Sequence, residues 1–451
     1  MKLKIVLPVL MGLLLSGATY AQNVQLVSRP VVEKEQVKAL KSVNAFTLSD
    51  INHIIGYGQS LSLGSVDQCV ISQAQKYNSL MFSKELRTLD YAATDFTNVT
   101  FVPLIEKVWA NHVNYAETPY SGMSEMLIET ISKQDGTFTK QLVFQAAGKG
   151  GTSITGLIKG NENTYGYILK GVERAKQLAD MDSKSYKVPC FTFIHGEADT
   201  YAYMDPALYK SHVIQMQASI EADIKAISGQ TEGVPCVLSQ TAAFNRYWMV
   251  RHSSNIDKEV YPEISIAQYQ LALEHPDQFI FSTAMYPIIY GLDNVHLTAG
   301  SSKLVGAYFG YAIKKAVVDG ESMLPIHPTS YVSNGNELTV TFHVPVAPLA
   351  LDTKQVRFID NYGFNIYRGD REIKIESVVL SGEDAVRFVC SEPVQSGDVI
   401  TYAINGKTTG ALNGARGNLR DSRGETVTFQ INCTTHKLHN WCPIFREIIQ
   451  F

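Results

Sequence analysis

The sequence contains little cysteine, with six residues in 451, and no two of them form a C-x-x-C pair. So few cysteines argue against a fold that depends on disulfides, and the missing pair argues against a zinc ribbon or a thioredoxin-type site. Cys190 and Cys236 each follow Val-Pro in an apolar run, so we expect both to be small core residues. Cys433 and Cys442 lie close enough in sequence to close a short loop, and the sequence leaves this disulfide open.

Basic residues are not in excess either. The chain has 39 lysine and arginine residues against 43 aspartate and glutamate residues, which gives a formal net charge of −4. Nucleic acids and anionic membranes bind basic surfaces, so we expect neither as a partner. The sequence indicates no particular protein partner.

Long hydrophobic runs occur only at the N-terminus. Lys2 and Lys4 precede an apolar stretch of roughly a dozen residues, and small residues follow as far as Ala21, which is typical of a secretory signal peptide. The stretch is shorter than the ~20 residues of a membrane-spanning helix. We therefore expect cleavage after Ala21, a periplasmic or secreted protein without a membrane span, and a net charge of about −6 after cleavage.

Short apolar segments alternate with longer helical patterns over the first two thirds of the chain. The predicted strands are 53–59, 99–105, 142–148, 189–196, 235–242 and 279–287, and the predicted helices include 164–181, 208–228 and 298–320. Several of these strands are apolar on both faces, as strands covered on both sides must be. The alternation predicts an α/β domain with a mostly parallel, doubly wound sheet, in which ligands bind beyond the carboxyl ends of the strands.

The last part of the chain has a different pattern, with short predicted strands separated by Gly, Asn and Asp turns, which is typical of a β-sandwich-like module. The predicted organisation is a signal peptide at 1–21, an α/β domain at 22–324 and this accessory module at 325–451. Gly-Lys-Thr at 406–408 lacks the earlier glycine of a phosphate-binding P-loop, because Thr401 stands there. We interpret it as a hairpin turn.

Four short stretches with chemically useful residues lie at predicted strand ends or just before the last helix. They are GYGQS with Gln59 and Ser60, GKGGTSI with Gly150 and Gly151, HGEAD with His195, Glu197 and Asp199, and DNVH with Asp293 and His296. A serine hydroxyl becomes a nucleophile when an imidazole accepts its proton, and a carboxylate can orient that imidazole. Glycines let backbone N–H groups approach a developing oxyanion. The set therefore indicates acyl transfer.

The order of the four stretches resembles the SGNH hydrolase superfamily, and more narrowly its sialate O-acetylesterase and carbohydrate esterase family 6 branch. The resemblance covers roughly residues 52–315 and does not reach the β-rich module. It implies a three-layer α/β/α fold without a metal or an organic cofactor. It also implies Ser60 as nucleophile, His296 as general base and then acid, and Asp293 as its orienting carboxylate. The Ser60 N–H and a glycine N–H, that of Gly151 rather than Gly150, would form the oxyanion hole.

Two positions depart from the family pattern. Leu61 follows the serine where asparagine is common, and His195 replaces a glutamine that donates to the oxyanion. A neutral imidazole can donate one N–H, so we expect His195 to be a third, pH-dependent oxyanion donor. Gln59, Glu197 and Asp199 are expected to support the site by hydrogen-bonding the loops around it.

Other site types fit less well. The His-x-Glu of HGEAD is found in zinc deaminases, but these need a downstream P-C-x-x-C, and Ser239 stands where its second cysteine would be. No G-x-S-x-G occurs, which disfavours the α/β-hydrolase arrangement. We therefore expect no metal site.

The sequence thus predicts an exported serine esterase that removes O-acetyl groups from a carbohydrate, either sialic acid or a hemicellulose such as xylan. One alternative is a carbohydrate-binding protein that has lost catalysis; another is an esterase acting on a different ester. Aromatic and histidine side chains that could contact a sugar are Tyr201, Tyr203, Tyr247, Trp248 and His252. The β-rich module could bind glycan, form one wall of the site, or only stabilise the enzyme.

Overall fold

The computed structural model describes residues 45–64, 69–88, 96, 98–109, 114–244 and 262–451. The predicted signal peptide lies outside these residues, as do Tyr247, Trp248 and His252. Within the described ranges, no helix combines the length and the apolar composition needed to cross a membrane.

Eight strands form the central sheet. They are β1 Ile51–Gly58, β2 Ser79–Phe82, β3 Phe101–Pro103, β4 Gln141–Ala146, β5 Tyr186–Lys187, β6 Phe191–Ile194, β7 Cys236–Gln240 and β8 Phe279–Ala284. Their order across the sheet is β3-β2-β4-β1-β6-β7-β8, and β5 pairs with the start of β1. Neighbours run parallel except β2 and β3. Because the chain extends the sheet first to one side of β1 and then to the other, the carboxyl end of β1 lies at the switch point where such sheets bind ligands.

Each of the six strands predicted from the sequence overlaps an observed strand, although β1 and β4 begin one or two residues earlier than predicted. The two that the sequence pattern missed, β2 and β5, have four and two residues. With two residues, β5 is too short to show a periodic pattern.

Helices cover both faces of the sheet. They are α1 Pro119–Asp135, α2 Tyr165–Met181, α3 Glu197–Ala202, α4 Pro206–Ser228, α5 Glu263–Glu274 and α6 Ala299–Ala312, the last continuing as a π-helical segment, Ile313–Val318. In β4 the Phe144 ring lies 6.2 Å from the Tyr120 ring of α1, while the neighbouring Gln145 donates to the Tyr167 carbonyl of α2. Successive strand residues point to opposite faces, so α1 and α2 lie on opposite sides. This confirms the predicted three-layer arrangement.

Three glycines let α1 and α6 pack backbone against backbone. A side chain at Gly122 would overlap the Lys303 carbonyl, one at Gly306 the Pro119 carbonyl, and one at Gly310 the Met123 carbonyl. Because these three positions have no side chains, the backbones of α1 and α6 can approach each other closely. α6 begins three residues after His296, so this contact also fixes where that histidine enters the fold.

Antiparallel sheets make up the C-terminal region. The strands are β9 His327–Asn334, β10 Glu337–His343, β11 Ala350–Leu351, β12 Phe364–Arg368, β13 Arg371–Ile373, β14 Ile375–Ser381, β15 Ala385–Cys390, β16 Val399–Tyr402, β17 Leu419–Arg420, β18 Thr428–Ile431, β19 Thr434–Lys437 and β20 Phe445–Ile448. Two four-stranded sheets have the orders β14-β15-β10-β9 and β13-β12-β16-β20. The Phe364 ring of the second lies 5.0 Å from Phe388 of the first. This shared aromatic core gives the region the expected sandwich-like character.

Buried hydrogen bonds join this region to the central sheet. The Gln240 side chain at the end of β7 donates to the Ile444 carbonyl and accepts from the Ile444 N–H, each at 2.8 Å. The Tyr286 hydroxyl donates to the Cys442 carbonyl at 2.9 Å. Because these polar groups lie away from water, separating the two parts would leave them unsatisfied.

The cysteines are all free thiols. Cys190 and Cys236 are fully buried in the core, as predicted. Cys433 is exposed and Cys442 is buried, so the disulfide that the sequence left open is not formed.

The helix contact gives a test with an internal control. Gly306→Ala should lower the free energy of unfolding by about 1–3 kcal/mol, because its methyl group meets a backbone carbonyl that cannot turn aside. Gly300→Ala lies in the same helix with open space around the added methyl group, and should be neutral or stabilising by up to about 1 kcal/mol. Urea unfolding of both variants measures the difference. Equal losses in the two variants would contradict the steric explanation.

Candidate active site

Ser60 lies at the carboxyl end of β1, where the backbone turns sharply. Gly58 ends the strand at φ +128°, and a side chain there would overlap the Ile194 carbonyl of β6. The Gln59 N–H donates to that same carbonyl at 3.1 Å. The chain then enters a short 3-10 turn, Ser60–Leu63, that presents the serine at its first position. Only glycine at position 58 allows this close passage along β6.

Two buried side chains, which the sequence pattern did not identify, hold this turn from behind. The Tyr120 hydroxyl donates to the Ser62 carbonyl at 2.9 Å, and Arg87 Nε donates to the Leu63 carbonyl at 2.6 Å. Arg87 is fully buried and pairs with Glu85 at 3.0 Å. Leu61, where the family pattern has asparagine, is buried in the core. An arginine is ordinarily read as a surface residue, so no sequence signal marked Arg87.

His296 contacts Ser60 although the two residues lie near opposite ends of the α/β region in sequence. Its Nε2 lies 2.9 Å from the Ser60 Oγ, and its Nδ1 lies 2.6 Å from an Asp293 carboxylate oxygen. The other Asp293 oxygen accepts from the N–H groups of Val295 and His296. Asn294 adopts a left-handed conformation, φ +59°, that lets the chain fold back within three residues. The structure thus brings Ser60, His296 and Asp293 together in the expected order.

Asp293 is held in its charged form. Burial acts to raise the pKa of this carboxyl, but hydrogen bonds from the His296 ring and from two backbone N–H groups outweigh burial and hold the pKa well below its usual range. An ionised carboxylate against Nδ1 fixes that nitrogen as the N–H donor, which leaves Nε2 free to accept a proton from Ser60.

The glycine-rich stretch passes directly beside Ser60. The Lys149 N–H donates to the Gly58 carbonyl at 3.0 Å. A methyl group at Gly150 would stand 4.0 Å from Ser60 Cβ and 2.7 Å from the Tyr115 hydroxyl. Gly151 has φ +64° and open space where a side chain would be. Both glycines are exposed, whereas Ser60 is 5% exposed. Tyr115 is a further neighbour that sequence reasoning missed.

Gln59 and Asp199 each accept a hydrogen bond from a neighbouring segment. Gln59 Oε1 accepts from the Ala198 N–H at 3.2 Å, and the Asp199 carboxylate accepts from the Ile154 N–H at 3.0 Å. Glu197 is buried and accepts from the Thr241 hydroxyl at 2.5 Å. Burial raises the pKa of Glu197, and it raises the pKa of Asp199 to about 7.

His195 has a different place from the one expected. Its Nε2 lies 3.0 Å from the Thr152 carbonyl, and its Nδ1 lies 3.2 Å from the Tyr209 hydroxyl. The ring is fully buried and stacked between Phe193 and Tyr209. With Nε2 donating to a backbone carbonyl and Nδ1 accepting from a hydroxyl, no N–H is left for an oxyanion. We therefore correct the prediction: His195 fastens the loop that carries the glycines.

Tyr201 and Tyr203 are each about half exposed, at 47% and 52%, and leave ring surface accessible at the end of α3. Among the described residues, no group of three His, Cys, Asp or Glu side chains is arranged to hold a metal ion.

The fold of the chain is similar to that of several solved protein structures. The chain resembles the crystal structure of a carbohydrate acetylesterase from Xanthomonas citri with a TM-score of 0.54 and 13% sequence identity, covering 88% of this chain and 80% of that one. A protein from Arabidopsis thaliana matches at TM-score 0.42 and 14% identity, covering 58% of this chain and 97% of that one. Neither a protein-family model nor a curated protein sequence matches the chain. At such identities a likeness shows the fold alone, here the α/β fold that the chain shares with the Xanthomonas citri structure.

The buried histidine gives a prediction about pH. Burial lowers the pKa of His195 to about 4, whereas an unfolded histidine titrates near 6.5. Between pH 6.5 and pH 4 the His195 imidazole is protonated in the unfolded chain but neutral in the folded chain. Lowering the pH through this range therefore stabilises the unfolded chain and lowers the free energy of unfolding, which is unaffected by this group above pH 6.5. Between pH 7.5 and pH 5 the wild type should lose about 2 kcal/mol more unfolding free energy than His195→Gln.

Urea unfolding at the two pH values measures this difference. The glutamine amide retains a donor for the Thr152 carbonyl, so the variant should fold. His275→Gln, at the end of α5, is the control for losing a histidine elsewhere and should follow the wild type. If the free energy of unfolding falls by the same amount in the wild type and in His195→Gln between the two pH values, burial of the His195 ring does not destabilise the protein at low pH.

Proposed function

We propose that the protein is an exported serine esterase that removes O-acetyl groups from a carbohydrate through an acyl-enzyme. One observation carries the proposal: an unbroken line of hydrogen bonds from Ser60 Oγ through the His296 ring to the Asp293 carboxylate, with lengths of 2.9 and 2.6 Å. A nucleophile, a base and an orienting group joined in this way are the requirements for serine acyl transfer.

In the first half-reaction Ser60 Oγ attacks the acetyl carbonyl carbon while its proton passes to His296 Nε2. Asp293 holds the Nδ1–H and stabilises the imidazolium that forms. The carbonyl π electrons move to oxygen, which becomes an oxyanion. When the tetrahedral intermediate collapses, the bond to the sugar oxygen breaks, and that oxygen takes the proton from His296. The free sugar hydroxyl leaves, and the acetyl group remains on Ser60.

The oxyanion requires N–H donors placed before the reaction starts. The Ser60 N–H lies at the start of a 3-10 turn, where no earlier turn supplies it with a helical acceptor. The second donor is a backbone N–H of the exposed pair Gly150 and Gly151, beside Ser60. The absence of side chains at both positions leaves room for an acetyl group.

In the second half-reaction a water molecule replaces the sugar. His296 Nε2 accepts a proton from this water as its oxygen attacks the acetyl carbon. The intermediate collapses with the proton returned to Ser60 Oγ, and acetate is released. The resting enzyme is restored.

The substrate class is supported by several features. The likeness to a carbohydrate acetylesterase favours an acetylated sugar, and so do the half-exposed rings of Tyr201 and Tyr203, since aromatic faces stack on sugars. Sialic acid and a hemicellulose such as xylan are the two candidate sugars. Export is supported by the signal-peptide pattern ahead of Ala21.

Acetate release from an O-acetylated sialic acid and from acetylated xylan tests the proposal directly. The wild type should release acetate from one of them, and Ser60→Ala should lower the rate by at least about 10³-fold, because the nucleophile is removed. Ser330→Ala, on an exposed position of β9, is the control and should keep the wild-type rate.

A sulfonyl fluoride probe separates the alternatives. An active serine hydrolase should gain the probe's mass on Ser60, with fluoride as the leaving group, and Ser60→Ala should gain none. Labelling without acetate release from either sugar would indicate an esterase for a different ester. Neither labelling nor release, together with binding of the same glycans, would indicate a carbohydrate-binding protein that has lost catalysis.

A further inference from the structure

A glycine-rich loop of the C-terminal region, residues 405–416, is held together by its own backbone hydrogen bonds. Thr408 pairs with Gly414, the Gly414 N–H donates to the Gly410 carbonyl at 2.9 Å, and the Lys407 N–H donates to the Asn413 carbonyl at 3.0 Å. The loop contains the Gly-Lys-Thr tripeptide that the sequence placed in a hairpin turn. Its own backbone bonds therefore give it a defined shape.

The Arg416 guanidinium and a neighbouring segment secure this loop to the rest of the region. Arg416 donates to the carbonyl oxygens of Gly414, Arg357 and Phe358, each at 2.8 Å. The Arg357 N–H in turn donates to the Ala411 carbonyl at 3.0 Å. A planar guanidinium that bridges three carbonyls fixes the loop relative to residues 357–358.

The far side of the loop touches the α/β region just before the Asp293–His296 turn. The Ala411 N–H donates to the Ile288 carbonyl at 3.4 Å. A methyl group at Gly410 would stand 2.8 Å from that carbonyl oxygen and 2.9 Å from Cδ2 of Tyr290. Gly410 has φ +90°, so its backbone passes against this segment in a conformation that glycine favours.

Ile288 and Tyr290 belong to the stem of the turn that carries the candidate base. Tyr290 forms an antiparallel bridge with Leu297, and the Gly291 N–H donates to the His296 carbonyl at 2.7 Å. A shift of the stem is therefore transmitted to Asp293 and His296, which lie between its two sides. A displacement of 1 Å at a reacting group can lower a rate by about 10²-fold.

The geometry points to the 405–416 loop as a positioning element of the active site: it holds the Ile288–Tyr290 stem so that His296 stays within hydrogen-bond distance of Ser60. This inference rests on the proposed esterase function. It assigns the C-terminal region a part in catalysis through the position of the base, without contact with the substrate.

Two alanine substitutions separate this role from general stability. Gly410→Ala and Gly397→Ala both place a side chain at a similar positive φ, +90° and +97°, so both carry similar backbone strain. The methyl group at Gly397 meets no atom within 4 Å, whereas the one at Gly410 presses on the stem. With p-nitrophenyl acetate, Gly410→Ala should lower kcat by about tenfold with KM unchanged within about twofold, and Gly397→Ala should keep the wild-type kcat. Wild-type kcat in a folded Gly410→Ala would overturn the inference.

Arg416→Lys tests the same role from the other side of the loop, and decides the question if Gly410→Ala does not fold. Lysine lacks the planar fork that bridges the three carbonyls, so the loop should loosen although the substituted residue lies outside the α/β region. We expect kcat to fall about threefold with an unchanged KM, and a wild-type kcat in this variant would count against the positioning role.

Hydrogen exchange of the Gly291 amide gives a readout that needs no substrate. Its bond to the His296 carbonyl should open more often in Gly410→Ala than in the wild type or Gly397→Ala, and equal exchange in all three would overturn the inference. If the wild type hydrolyses no ester, the proposed function fails, while this measurement still decides whether the loop holds the turn.

Discussion

The hydrogen bond between Ser60 and His296 joins residues 236 positions apart, and close backbone contacts set its length. Gly58 lets β1 pass against β6, and Gly148 lies where a side chain would meet the Gly58 carbonyl and the Ser62 hydroxyl. Gly306 lets α6, the helix that follows His296, approach α1. Each contact is a steric limit between packed elements, so the distance between Ser60 and His296 follows from the packing of the sheet and its helices.

The carboxylates around the site show how the same group acquires different properties. Burial acts on both Asp293 and Asp199. Asp293 also receives the His296 ring and two backbone N–H groups, so it stays charged. Asp199 accepts mainly from the Ile154 N–H, and burial dominates, which raises its pKa to about 7. The first is suited to stabilise a positive charge, and the second to join two loops.

Much of the α/β part could be predicted from the sequence, because its strands are apolar on both faces and its helices are long. The four motif stretches also lie where a doubly wound sheet brings them together. The role of His195 could not be predicted, since the sequence does not show that Thr152 and Tyr209 occupy both of its nitrogens. Arg87 and Tyr120 were missed for a similar reason: their importance comes from carbonyls far away in sequence, at Leu63 and Ser62.

The bonds between Gln240 and Ile444 have a consequence for the order of events in folding. They link residues 204 positions apart, and the 405–416 loop reaches the Asp293–His296 turn from a similarly late part of the chain. Contacts of such long sequence separation form late, because the entropy of closing the intervening chain must be overcome first. A chain still being synthesised can therefore build the strand that carries Ser60 well before the turn that carries His296 receives its support. Ser60 would then become reactive only when folding is complete, because until then His296 is not held within hydrogen-bond distance of it.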